Sequence, residues 1–181
     1  KPNWIGEFGV RADQFYPEMF HNALWAALAS GAAMTPAEWN DRGDWGKMSP
    51  EMSADTLRLS TFAADLPLAA WNPEPMTVAA ILPGSMVRGW GLAGGRGALF
   101  WVQDYSLEGK PFAEQRSGLA VRKNVAVDLT GLAAGTYIVK PYDTWKGEYL
   151  DPFEVTCPAG AVCRIALPEF KADMAFRLDA K

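Results

Sequence analysis

Apolar positions follow two regimes along the chain, and the change comes near Trp71-Asn72-Pro73-Glu74-Pro75. Upstream, apolar residues are either bunched or spaced like a helix. Trp4–Gly9 reads as a short buried strand. Phe20–Ala29 reads as a helix, since Phe20, Leu24 and Leu28 recur one turn apart, and Gly31 is its natural stop. Ala32–Trp39 reads as a small-residue strand that runs into the acidic, Trp-rich loop Asn40-Asp41-Arg42-Gly43-Asp44-Trp45-Gly46. Ser49-Pro50-Glu51 predicts a second helix start: a capping hydroxyl, a proline in the first turn, and an acid near the positive end of the dipole. Met52, Leu59, Phe62, Ala63 and Leu66 then share one apolar face. The upstream order is strand, helix, strand, helix.

Downstream, apolar runs shorten and turn residues recur. The pattern predicts strands over Met76–Leu82, Met86–Leu92, Ala98–Asp104, Val121–Leu129, Thr136–Tyr142, Tyr149–Cys157, Val162–Leu167 and Met174–Leu178. Eight short strands at this spacing predict an antiparallel two-sheet sandwich. Gly94-Gly95-Arg96-Gly97 has no helix predicted after it, so it reads as a hairpin turn and not as a phosphate loop. The two prolines at 73 and 75 read as a stiff connector. The expected organisation is therefore residues 1–70, a linker over 71–75, and a sandwich over 76–181.

Composition narrows the classes. A chain of 181 residues with 49% hydrophobic and 21% charged residues can build a core. A net charge of −4 without a basic run argues against nucleic acid as a partner, and no apolar run reaches the length of a membrane span. No secretion leader is visible at Lys1. Cys157 and Cys163 flank a Pro-Gly turn, which allows either a disulfide or two free thiols in a strand pair. A disulfide would imply an oxidising compartment, periplasmic or extracellular. Two cysteines and the single His21 make no structural zinc set, so neither metal nor other cofactor is expected. Eight Trp, nine Phe and five Tyr first suggest packing, and secondly a surface for stacking sugar rings.

Trp4-Ile5-Gly6-Glu7-Phe8-Gly9, the following His21-Asn22-Ala23-Leu24-Trp25-Ala26, and the Ser30-Gly31-Ala32-Ala33 exit resemble the end of a (β/α)8 barrel of the clan of retaining glycoside hydrolases whose nucleophile closes strand seven. Gly135-Thr136-Tyr137, then Asp143-Thr144 and Gly147, resemble the penultimate hairpin of the C-terminal β-sandwich in bacterial members. The closing Leu167-Pro168-x-Phe170-x-x-Asp173-Met174-Ala175-Phe176 is similar to their ends. The resemblance implies an α/β barrel segment, the last two β/α units, followed by an all-β antiparallel sandwich. It departs at Met34-Thr35-Pro36-Ala37-Glu38-Trp39, where bacterial relatives often carry Gly-Thr and several aromatics.

The resemblance implies that Glu7 is the attacking carboxylate of a retaining hydrolase acting on a β-glycosidic bond in an oligo- or polysaccharide. Read alone, Glu7 could equally be a structural carboxylate paired with Arg11. A retaining enzyme needs a second carboxyl about 5 Å away as acid/base. No residue of this chain fills that place by resemblance, so a second polypeptide carrying the rest of the barrel is expected to supply it. His21 could donate to a sugar hydroxyl or to Glu7, or pack as a helix-start histidine. Trp39 and Trp45 could stack on a sugar, with Asp41 as a substrate contact or a loop cap. A different class also fits: a non-catalytic carbohydrate-binding or interaction module, using Trp90, Trp101 or Trp145. Of these, Trp101 is better read as buried, and Trp145, in a turn, as exposed.

Overall fold

The computed structural model describes residues 7–8, 17–32, 37–38, 49–80, 86–110 and 118–181. The first elements are β1 (Glu7–Phe8), α1 (Pro17–Ala29), β2 (Ala37–Glu38), α2 (Pro50–Ala63) and α3 (Leu68–Trp71). Then come β3 (Glu74–Ala80), β4 (Val87–Gly94), β5 (Gly97–Asp104), β6 (Ala126–Thr130) and β7 (Gly135–Asp143). β8 (Glu148–Tyr149), β9 (Phe153–Cys157), β10 (Cys163–Ala166) and β11 (Asp173–Ala180) complete the set. Strands β3 to β11 form one antiparallel sheet in the order β10-β6-β3-β4-β5-β11-β7-β8, with β9 also on β7.

This corrects the expected barrel segment and two-sheet sandwich. Most of the described chain is a single curled antiparallel sheet with three helices, and no α/β barrel units are evident among the described residues. The parallel pairing of β1 with β2 extends only over Glu7 with Ala37 and Phe8 with Glu38. The helices find their apolar partners elsewhere: Phe20, Leu24 and Trp25 of α1 and Leu59 and Phe62 of α2 pack with Leu92, Leu99, Trp101, Tyr142 and Ala175 on the antiparallel sheet. The sheet is continuous because β3 changes partner along its length. Glu74–Met76 pairs with β4, and Thr77–Ala80 pairs with β6. The curl brings β9 and β10 together, and a bond between Cys157 and Cys163 joins them, with an S–S distance of 2.04 Å.

Both faces of the central strands are covered, which explains the unbroken apolar run of β5. Ala98, Phe100 and Val102 point into the curl, where they meet Val127, Val139, Ile165, Phe176 and Leu178. Leu99 and Trp101 point the other way, under the helices. Phe100 and Phe176 stack inside the curl with ring centroids 4.4 Å apart. The core thus lies in two layers separated by one sheet.

Local signals set the ends of the helices. The Ser49 hydroxyl accepts the Met52 N–H at 3.2 Å, and Pro50 opens α2. Gly31 at φ +77° follows α1. The Tyr142 hydroxyl donates to the Arg58 carbonyl at 2.8 Å and anchors α2 on β7. The run expected as one strand, Tyr149–Cys157, is two strands, because Asp151-Pro152 interrupts it and proline cannot donate to a ladder. α3 turns the chain into β3 and buries Trp71 against the β4–β5 hairpin. A β-carbon at Gly97 would lie 2.4 Å from that indole, and one at Gly94 2.1 Å from the Trp71 carbonyl oxygen. Only glycine permits this approach.

Candidate functional site

Glu7 lies on β1, with its backbone in register with Ala37 of β2. Trp39, Asp41 and Trp45 lie outside the described residues. Of the substrate-binding residues expected from the sequence, His21 is the one with a described side chain, and a charged cluster is built around it.

His21 sits in the first half of α1 and is fully buried. Its Nδ1 faces Asp55 Oδ1 of α2 at 3.1 Å, and its Nε2 faces Asp173 Oδ1 of β11 at 3.1 Å. A carboxylate opposite each nitrogen requires both nitrogens to carry hydrogen, so the ring is an imidazolium. Burial works against that charge, but Asp173 and Asp55 outweigh it and lift the His21 pKa to about 9. Burial likewise pushes Asp173 up, and the His21 charge with the surrounding donors overcomes it and holds the carboxyl below its usual range.

Asp173 accepts four side-chain donors. Trp101 Nε1 donates to Oδ1 at 2.9 Å, the Thr144 hydroxyl and His21 donate to the same oxygen, and Trp145 Nε1 donates to Oδ2 at 2.6 Å. Arg58 donates to Asp55 Oδ1 at 2.7 Å and closes the far end. The Trp145 indole also stacks on the His21 ring, with centroids 3.8 Å apart and planes 12° from parallel. One buried histidine thus ties two helices, two strands and the turn after β7.

In front of this cluster opens a cleft of about 440 Å³. α1 contributes Glu18 and Asn22, one turn apart on the same face. β4 and β5 contribute Arg88, Gln103 and Asp104, the following turn Tyr105 to Lys110, and Trp145 and Asp173 line the side toward His21. Arg88 donates through Nε to Gln103 Oε1 at 3.1 Å, pairs with Glu108 at 3.3 Å, and lies over the rings of Trp90 and Tyr105 at 5.3 and 4.9 Å. Asp104 is buried and held by Arg122. Among the described residues, neither Glu18 nor Asn22 has a side-chain partner, and no group of His, Cys, Asp and Glu is arranged to hold a metal.

Sequence reading singled out His21 but not its partners. Asp55 and Asp173 are 34 and 152 positions away, and no local pattern marks them. The signal within reach was their position on otherwise apolar faces: Asp55 lies on the buried side of α2 with Leu59 and Phe62, and Asp173 opens an apolar strand. Trp101 is buried, and Trp145 is half-buried at the rim of the cleft.

No family model and no curated protein matches the chain. Solved structures do. A glycoside hydrolase family 5 protein from Bacteroides vulgatus ATCC 8482 aligns with a TM-score of 0.52 at 9% identity, over 94% of this chain and 37% of that one. A protein described as a glycoside hydrolase aligns with a TM-score of 0.49 at 9% identity, over 94% of this chain and 38% of its own. A GH30 endoxylanase from Clostridium papyrosolvens C71 gives 0.46 at 10% identity, over 100% and 42%. The chain therefore shares a glycoside-hydrolase-related fold with the first of these, and it spans only about two fifths of the length of the structures it matches.

Proposed function

We propose that this chain is the C-terminal part of a retaining glycoside hydrolase that cleaves a β-glycosidic bond in an oligo- or polysaccharide. Its contribution is the nucleophile, Glu7, and the acid/base carboxyl comes from another polypeptide segment. The observation that carries the reading is the fold shared, over 94% of this chain, with part of a family 5 glycoside hydrolase. The motif Gly6-Glu7-Phe8-Gly9 adds the chemistry, with a carboxylate on a short strand between glycines.

In the proposed reaction the Glu7 carboxylate attacks the anomeric carbon while the partner carboxylic acid protonates the leaving glycosidic oxygen. The bond from carbon to that oxygen breaks, and a glycosyl ester forms on Glu7. The partner, now a carboxylate, takes a proton from water, and the water oxygen displaces Glu7 with net retention.

The test is covalent. The chain is combined with the polypeptide carrying the rest of the enzyme and treated with 2-deoxy-2-fluoro-glycosides of glucose, xylose and mannose bearing an activated leaving group. The expected result is a mass increase of one fluorosugar on the peptide containing Glu7, together with at least about a thousandfold loss of turnover in Glu7→Gln. Label on a different carboxylate, or turnover retained in the variant, overturns the assignment.

A further inference from the structure

The cleft in front of Trp145 is suited to a ligand with one flat apolar face and a rim of hydroxyls, and we infer that it is an ancillary binding site for a neutral oligosaccharide. The inference rests on the glycosidase reading only for the choice of β-linked probes. Its volume of about 440 Å³ falls within the range of roughly 300–1,000 Å³ typical of small-molecule sites.

The side toward His21 is an aromatic ring held in one orientation. Trp145 is stacked on His21 from behind and its indole nitrogen is tied to Asp173, so the ring reaches the cleft already ordered. A sugar ring that packs there displaces water from apolar surface without the entropic cost of arresting the indole. The α1 wall offers an acceptor and a mixed donor–acceptor, Glu18 and Asn22, one turn apart and half-buried, with no side-chain partner among the described residues. On the facing wall, the Gln103 carbonyl oxygen is taken by Arg88, which leaves its amide NH2 group directed by that bond. Arg88 is itself fixed by Glu108 and by two aromatic rings. These are planar polar groups of the kind that hydrogen-bond vicinal hydroxyls.

The charge pattern selects against ionic ligands. Four carboxylates line the cleft, those of Glu18, Asp104, Glu108 and Asp173. Four cations lie on it or bonded directly behind it: Arg88, Lys110, Arg122 and His21. Charges of both signs that balance at short range leave no net field to hold an anion or a cation. A neutral polyhydroxylated ring is the class that uses the amides, the carboxylate and the indole together.

The experiment titrates the whole chain with cellohexaose, xylohexaose and mannohexaose at concentrations up to about 10 mM, read by the side-chain amide NMR signals of Asn22 and Gln103. The expected result is saturable movement of both signals with at least one hexasaccharide. Glu18→Ala combined with Asn22→Ala is expected to weaken binding about tenfold or more while leaving the unfolding temperature unchanged. Trp145→Ala is expected to abolish it, and because that variant also uncovers His21, the helix-face pair carries the decision. No movement with any of the three sugars, or full affinity in the Glu18/Asn22 double variant, overturns the inference. Glu7→Gln is expected to bind as the wild type does. Fluorosugar labelling without cleft binding leaves the glycosidase reading standing and removes the cleft, and cleft binding without labelling does the reverse.

Discussion

A histidine whose two nitrogens both face carboxylates titrates outside its usual range, and the fold inherits that titration. In the unfolded chain His21 is expected near 6.5, and in the folded protein near 9. Its contribution is therefore complete below about pH 6.5 and is lost as the pH rises through 9. Asp173 works in the opposite sense: its folded value lies below 3.8, so its contribution is present above that pH and fades in stronger acid. The unfolding temperature should be highest between about pH 4 and 6.5 and should fall from there to pH 9.5, the His21 share amounting to at most about 3 kcal/mol. Thermal melts across that range test this, and so does nitrogen-15 NMR of the ring, which should show both nitrogens protonated at pH 7.5. A melting temperature flat from pH 6.5 to 9.5, or a neutral ring at 7.5, would exclude the ion cluster.

Between elements, the closest fit is at the junction of α3 with the β4–β5 hairpin, where Trp71 occupies the space a side chain would need at Gly97. Gly97→Ala should cost about 1–3 kcal/mol, because its β-carbon would meet both the indole and the Leu178 carbonyl oxygen. Gly95→Ala, with nothing within 4 Å of the added carbon, is the control and should be close to neutral. Equal midpoints in denaturant for the two variants would show that the indole gives way. Elements whose cause is local were legible in the sequence: the α2 start at Ser49-Pro50 and the strand periods of β3, β4, β5 and β7. The place of the helices was not. Phe20 and Leu24 mark an apolar face, but the pattern does not say which surface receives it, and the double burial of β5 appears only as a run without alternation. His21 was legible as a candidate, but its role was not, since carboxylates 34 and 152 residues away define it.

Over the whole molecule, one sheet serves both core layers, and its curl is fastened where β9 meets β10. The Cys157–Cys163 bond spans six positions, so the loop-closure entropy it removes from the unfolded chain is modest, worth about 2 kcal/mol. Its reduction, or Cys157→Ala with Cys163→Ala, should lower stability by about that amount and raise hydrogen exchange first in β9 and β10. Exchange that rises equally in β5 and β11 would mean that the bond holds the entire sheet and not its seam. The central pairings are the ones made across long sequence distances. β11 lies between β5 and β7, and each of its neighbours precedes it in the chain. During synthesis, therefore, both neighbours leave the ribosome with an unsatisfied edge facing an empty lane. The nascent protein must keep that lane vacant, against mispairing of β5 with β7 and against strands of other chains, until residues 173–180 arrive to fill it.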